Sequence, residues 1–399
     1  QRMKSELNKL FPEVAKQYEK DLNHHIIYCH DEASTPVLKQ YTYSPYETVE
    51  VKYGDLHLLT SLQSLYNEVQ CMEVLEDEKV GVWCKYPSNL FVKDRTGWTR
   101  ITRLTKKKRH RDLVRVKTAF GEDIVVTDNH PMIIADDKTS TKQAIDVAGE
   151  KQLRLDNSIT FDGIEVLDLA SCVECDGVYS NFITSHESKF TPYFYSKRFV
   201  KIDRALGYVV GFFIGDGNYD NTFGTLSFAQ KEKETLDKLA EMLFESFGVV
   251  SYANQNGGSN PEIWHMKVCS RIVAQVFRNF FKIKDKAENK CLPYNLLMFN
   301  EGFAKGIVEG LIDSDGTVQS NNSTIQIRLS SRECITQLTK LLRHFGYGVG
   351  NSYQQTPFGN NVKIRTNYDL WGVLFTKTSK AVSFDWSYKF QKNVTNNID

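Results

Sequence analysis

Two aspartates in matched surroundings are the groups of this chain best suited to chemistry. Asp216 lies in "ALGYVVGFFIGDGNYD" and Asp315 in "FAKGIVEGLIDSDGTV", 99 residues apart. Glycines stand nine and five residues before each acid, as Gly207 and Gly211 in the first copy and Gly306 and Gly310 in the second. A carboxylate at the C-terminal end of a helix sits where the backbone dipole disfavours negative charge, so a pair of them there calls for a cation. Mg2+, held by one or two carboxylates and completed by phosphate oxygens and water, suits such a pair. Placed there, it can activate water and stabilise the leaving oxygen of a phosphodiester. Either copy alone would read as an ordinary Asp-Gly turn; the shared register of the two argues against chance.

The elements that must position these acids follow from the same comparison. A glycine inside a helix costs roughly 1 kcal/mol relative to alanine, so two at matched positions in two helices imply that the helix backbones approach closely. That packing would set Asp216 and Asp315 side by side. After each acid comes a strand: "STIQIRLS" alternates Ile325, Ile327 and Leu329 with Thr324, Gln326 and Arg328, and "TLSF" at 225 to 228 is its counterpart. An amphipathic helix follows in each copy, with Leu236, Leu239, Leu243 and Phe247 along one face and Ile335, Leu338, Leu342 and Phe345 along the other. Both helices end at Phe-Gly, which makes Gly248 and Gly346 C-cap candidates. Hairpins through "NQNGG" and "TPFGNN" then return on strands bearing Lys267 in one copy and Lys363 and Arg365 in the other. Each repeat thus reads as helix, two paired strands, helix and further strand.

Both motif segments resemble the LAGLIDADG motif of dodecapeptide (DOD-type) homing endonucleases, "VEGLIDSDG" closely and "VVGFFIGDG" more loosely. The resemblance spans residues 195–385. It implies an α+β fold of two αββαββα repeats related by a pseudo-twofold, a monomer with an internal pseudo-dimer whose sheets form a saddle over a double-stranded DNA target site. Asp216 and Asp315 would hold the metals, Mg2+ being the expected cofactor. Asp313, whose counterpart is Ile214, would be structural. "NKCLP" resembles the family's lysine block, which makes Lys290 the candidate to position or activate the attacking water. Gln326 and Arg328, with Lys267, Lys363 and Arg365, would contact the DNA, the first two reading bases in the major groove. Two rival readings stay open: a maturase-like LAGLIDADG protein that binds DNA or RNA without cutting, and a self-processing module with a decayed endonuclease.

Upstream, "DLVRVKTAFGEDIVVTDNHPMII" alternates about Phe120-Gly121 as a β-hairpin should. Its end, Thr127-Asp-Asn-His130, resembles block B of inteins, which implies a mostly β Hint domain over 44–194. In that family Thr127 and His130 polarise the upstream splice-junction peptide bond. "SPYETVEVKYG" resembles an intein start, but the nucleophile position holds Tyr43, which leaves Ser44 as the local candidate. Residues 1–43 then read as a host-protein (extein) remnant and 386–399 as a tail. No His-Asn dipeptide occurs in the chain, so splicing is expected to be incomplete without a C-terminal intein fragment in trans. "VLDLASCVECDGVYSNFIT", 166 to 184, faintly resembles the penultimate intein block, in the wrong order.

Composition bounds these readings. With 399 residues, 41% of them hydrophobic, the chain can build two or three domains. A net charge of +1 gives no overall basic bias, so any nucleic-acid contact must use patches such as "KKKRHR" at 106 to 111. Eight cysteines, mostly isolated, look like reduced thiols, and Cys172 and Cys175 form one C-x-x-C without a second pair at zinc-site spacing. No stretch is apolar enough for a signal peptide or membrane span, so the expectation is a protein that is not secreted and meets no membrane, cytoplasmic or wherever the host DNA is accessible.

Overall fold

The alternation of Thr48–Tyr53 opens the structure, a computed structural model that describes residues 47–78, 81–94, 97–107, 113–117, 123–134, 141–147, 158–186, 195–220, 224–255, 262–318, 324–350, 353–355 and 370–389. The chain divides into two units, residues 1–158 and 159–399. Ser44 and the rest of residues 1–46, most of "KKKRHR", Lys363 and Arg365 lie outside the described residues.

The first unit is β-rich. Thr48–Tyr53 turns at Gly54, φ +58°, a left-handed conformation suited to glycine, and pairs antiparallel with Leu56–Ser61. Leu90–Asp94 and Gly97–Arg100 complete this four-stranded sheet on the other edge of Thr48–Tyr53. Val74–Asp77, Val82–Lys85 and Leu104–Lys107 form a three-stranded sheet. Leu113–Lys117 and Asp123–Thr127 pair as a hairpin with Val114 opposite Val126 and Val116 opposite Ile124. These side chains alternate as the sequence pattern requires, so Val116 and Val126 enter a small core with Met132, Ile134, Ala144 and Val147.

The second unit begins well before residue 195, where the sequence placed the start of the repeats. Val166–Asp168 pairs with Phe199–Lys201, and Phe182–Thr184 pairs with both Gly177–Val178 and Tyr195–Lys197. Ile164 forms a parallel bridge to Phe299. Arg198 fixes the arrangement by donating from Nε and Nη2 to the Asp168 carboxylate at 2.7 to 3.1 Å. At the other end, residues 382–389 pack onto the repeats, so the fold does not stop at residue 385.

At the centre two helices lie backbone to backbone, Arg204–Asp216 capped by Asp203 and Glu301–Asp315 capped by Asn300. A Cβ added at Gly207 would fall on the carbonyl oxygen of Phe303, at Gly211 on that of Ile307, at Gly306 on that of Arg204, and at Gly310 on that of Tyr208. All four glycines therefore serve the close approach expected from their spacing. Outward from this pair, each half carries a sheet. One has the strand order Gly217–Asp220, Thr225–Gln230, Trp264–Val268, Ala253–Asn254. The other runs Gly316–Val318, Thr324–Leu329, Leu370–Thr376, Gly348–Val349, with Tyr353–Gln355 also paired to Leu370–Thr376. The internal offset of 99 persists in the register: Gly217 faces Phe228, and Gly316 faces Ile327.

Helices Lys233–Phe247 and Arg332–His344 cover the sheets with their apolar faces. Gly248 caps the first in the left-handed conformation, φ +74°, and Gly346 takes φ +82° one residue beyond the cap of the second. Among the described residues no helix is long and apolar enough to cross a membrane.

Candidate active site

Both acids end their helices, as the motif spacing requires, and the helix contact brings them together. A Cβ on Gly215 would lie 2.9 Å from Asp315 Oδ2, so the second carboxylate rests against the last turn of the first helix. Burial raises the pKa of both acids. Asp315 is pushed up to about 7, by burial first and then by the charge of Asp216. Two carboxylates so placed ionise together only when positive charge faces them.

That charge comes from two lysines, Lys290 buried and Lys389 half-buried. Lys290, 5% exposed, donates from Nζ to the carbonyls of Phe213 at 3.0 Å and Gly217 at 2.6 Å. It therefore caps the first motif helix with a cation, favourable at a helix C-terminus. Burial lowers its pKa to about 8 against the opposing pull of Asp315 and Asp216. Lys389 does the same for the second helix, donating from Nζ to Ser314 at 2.9 Å and Gly316 at 3.0 Å. Burial lowers its pKa too, opposed by Asp313, Asp216 and Asp315. Sequence reasoning placed residue 389 in a tail and missed it, although Lys389 follows Lys290 by the same 99 residues that separate the acids.

The two halves differ in one respect. Gln230 donates from Nε2 to Asp216 Oδ2 at 2.6 Å, whereas its counterpart Leu329 is a buried apolar residue. The first carboxylate thus has an amide donor where the second has hydrocarbon. Among the described residues no cluster of three or more His, Cys, Asp or Glu side chains could hold a metal. A divalent ion on Asp216 and Asp315 would have to complete its shell with water and substrate oxygens, the ligand set that suits Mg2+.

Asp313 is not part of this pair. It is fully buried and accepts hydrogen bonds from Tyr208, Ser387, Tyr388 and Lys389. Lys267, Gln326 and Arg328 lie on the sheet faces that alternate away from the motif helices. Arg328 donates from Nη2 to Gln326 Oε1 at 3.0 Å, and Lys267 reaches Asp220 at 3.4 Å. Lys106, the described start of the basic run, is paired with Glu73 and lies over the Tyr66 and Trp83 rings, so it helps the packing of the first unit.

In the first unit Thr127 ends its strand and His130 N–H donates to the Thr127 carbonyl at 3.0 Å. Both side chains are buried, and burial lowers the His130 pKa to about 4, which keeps the imidazole neutral. Cys172 and Cys175 are free thiols whose pKa burial raises.

Residues 203–281 and 302–367, which contain nearly all of both motif helices, the first sheet and part of the second, match the family model described as the LAGLIDADG-like domain. These stretches of the second unit, of mixed α/β structure, are thus similar to a LAGLIDADG-like domain, and a β-rich region precedes them. Among curated proteins, 320 residues are 25% identical to DNA-directed RNA polymerase subunit Rpo1C of Methanocaldococcus jannaschii, covering 75% of this chain and 35% of that protein. A 141-residue stretch is 29% identical to an A-type ATP synthase component of Methanopyrus kandleri, covering 35% of this chain and 12% of that one. The chain thus spans about a third or less of the curated relatives it matches. Similar solved structures include the homing endonuclease I-DmoI in complex with DNA and Ca, 13% identical over 45% of this chain and 86% of that one, TM-score 0.30. Full-length DUF199/WhiA from Thermatoga maritima is 11% identical over 49% of this chain and 61% of that one, TM-score 0.29.

Proposed function

We propose that the LAGLIDADG-like domain is a site-specific DNA endonuclease that makes metal-dependent double-strand breaks, and that the chain is part of an intein. The observation that supports cleavage over binding alone is the facing of Asp216 and Asp315 at the ends of two helices that Lys290 and Lys389 each cap with a cation. A module that only bound DNA would gain nothing from two half-buried carboxylates that repel each other. A divalent ion held by Asp216 and Asp315, Mg2+ in this reading, would supply water activation and charge stabilisation at the leaving oxygen. Lys290, with a pKa lowered toward neutrality, can orient a water and exchange a proton with it; Lys389 occupies the equivalent place for the other strand. Lys267, Gln326 and Arg328 supply polar and cationic groups on the sheet faces for phosphate and base contacts, with Lys363 and Arg365 assigned there from sequence.

The intein reading rests on the T-x-x-H turn and on the relatives. One chain matching stretches of an RNA polymerase and an ATP synthase, proteins of unrelated name, fits an inserted element better than a shared host activity. Thr127 and a neutral His130 would act on the upstream junction next to Ser44.

The test is cleavage of plasmid DNA carrying randomised inserts in Mg2+ or Mn2+. Asp216→Asn and Asp315→Asn should each abolish cutting while retaining DNA binding in a gel-shift assay. Normal cutting by either variant refutes the two-acid site. For the upstream reaction, hydroxylamine-sensitive cleavage next to Ser44, lost in His130→Ala, is the expected outcome.

A further inference from the structure

We infer that Asp313 is the positioning residue of the second half-site, docking the chain segment 384–389 so that Lys389 reaches the end of the second motif helix. This rests on the endonuclease reading and extends it, since Asp313 touches neither substrate nor metal in that reading. Each oxygen of its carboxylate accepts two hydrogen bonds. Oδ1 takes the Ser387 hydroxyl at 2.5 Å and the Lys389 N–H at 3.2 Å; Oδ2 takes the Tyr208 hydroxyl at 2.7 Å and the Tyr388 N–H at 3.0 Å. A carboxylate removed from water needs such donors, and three of the four come from consecutive residues. The Tyr388 hydroxyl adds a bond to the Asp313 carbonyl at 3.3 Å.

Upstream contacts hold the same segment. Trp386 N–H donates to Glu309 Oε1 at 3.1 Å, Lys238 Nζ donates to the Trp386 carbonyl at 2.9 Å, and the Arg204 guanidinium lies 4.5 Å from the Trp386 ring. Phe384 stacks on Tyr347 at 4.9 Å. These contacts bring the segment to the helices, while Asp313 sets the register of its last three residues.

The first half-site is built differently. At the position of Asp313 it has Ile214, and Lys290 comes from a loop between the repeats, closed by Lys290 N–H to the Lys286 carbonyl at 3.1 Å and Tyr294 N–H to the Phe281 carbonyl at 3.0 Å. Loss of Asp313 should therefore disable one half-site and spare the other. In a two-site nuclease that yields a nickase.

Two measurements test this in the full chain. The first is reductive dimethylation of the DNA-free protein, read by mass spectrometry. Lys290 and Lys389 should both be protected in the wild type, and Asp313→Asn should expose Lys389 alone. Labelling of both lysines would mean general loosening, and protection of both would mean the segment docks without Asp313; either overturns the inference.

The second is cleavage of strand-labelled plasmid carrying inserts selected by the wild type. Asp313→Asn should cut one strand at the wild-type rate and the other about 10- to 100-fold slower, with nicked circles accumulating. Lys389→Met should do the same, and the double variant should be no slower than Lys389→Met alone. Ser387→Ala, which removes one donor, should show the pattern more weakly if Asp313→Asn does not fold. Equal slowing of both strands, or multiplying effects in the double variant, overturns the inference. A wild type that cuts no DNA overturns the endonuclease reading instead, and the labelling result then decides the docking by itself.

Discussion

Asp315 shows how taking a carboxylate out of water costs stability. Its pKa in the folded chain is raised from 3.8 to about 7. Between about pH 4 and pH 7 the folded protein therefore holds a proton that the unfolded chain has released, and the metal-free protein loses stability as pH rises through that window. The loss levels off above pH 7, once both states are ionised. Asp315→Asn removes the effect, so the variant should melt higher than the wild type at pH 8, by about 1 to 4 kcal/mol in stability, and nearly with it at pH 4. Calorimetry at the two pH values without divalent metal checks this; a lower melting temperature for the variant at pH 8 would refute it. Manganese should stabilise the wild type more than the variant, as binding to the folded state alone requires.

The two motif helices owe their contact to the absence of four side chains. Since a single Cβ at Gly211 or Gly310 would strike a backbone carbonyl of the facing helix, even alanine is excluded, and the helices must separate to admit it. Gly211→Ala and Gly310→Ala should each cost about 1 to 3 kcal/mol and slow cleavage of both strands alike, because both carboxylates ride on the displaced helices. An unchanged melting temperature in both variants would show that the helices do not pack as described. This much was legible in the sequence, because glycine in a helix is conspicuous and its repetition at one offset more so. The amphipathic helices and their Phe-Gly ends were legible for the same reason: each is a local pattern. Lys389 was not, since the residues around it lack the flanking pattern of "NKCLP" and only the shared offset marks it. The motif marked Asp313 as structural, but its partners could not be read locally, because three of its four donors lie more than seventy residues downstream.

At the scale of the whole molecule, the sequence placed the start of the repeats at residue 195, where the motif resemblance begins, but the fold of the second unit takes in the chain from Ile159. The missed segment is short strands and turns, with little periodicity to read, and its partners are remote. Asp162, Gly163 and Ile164 donate backbone hydrogen bonds to Leu297, Phe299 and Met298, Ile202 donates to Glu165, and the Phe161 ring lies 5.5 Å from that of His344. Leu169 and Ile183 are fully buried. Cutting the chain at residue 195 would strip the strand Phe199–Lys201 of its partner Val166–Asp168 and leave the carbonyls of Leu297 to Phe299 without these donors, a loss comparable to several buried hydrogen bonds at roughly 1 kcal/mol each. A fragment of residues 159–399 should therefore unfold in one cooperative transition and keep the DNA-cleaving activity proposed for the full chain. A fragment of residues 195–399 should melt lower and expose Val200, buried in the longer chain, beside the already exposed Phe199, to aggregation. Denaturant titration of the two fragments separates the cases. Equal midpoints would mean that residues 159–194 only decorate the domain, whereas failure of the longer fragment to fold would mean that residues 1–158 are needed to complete it.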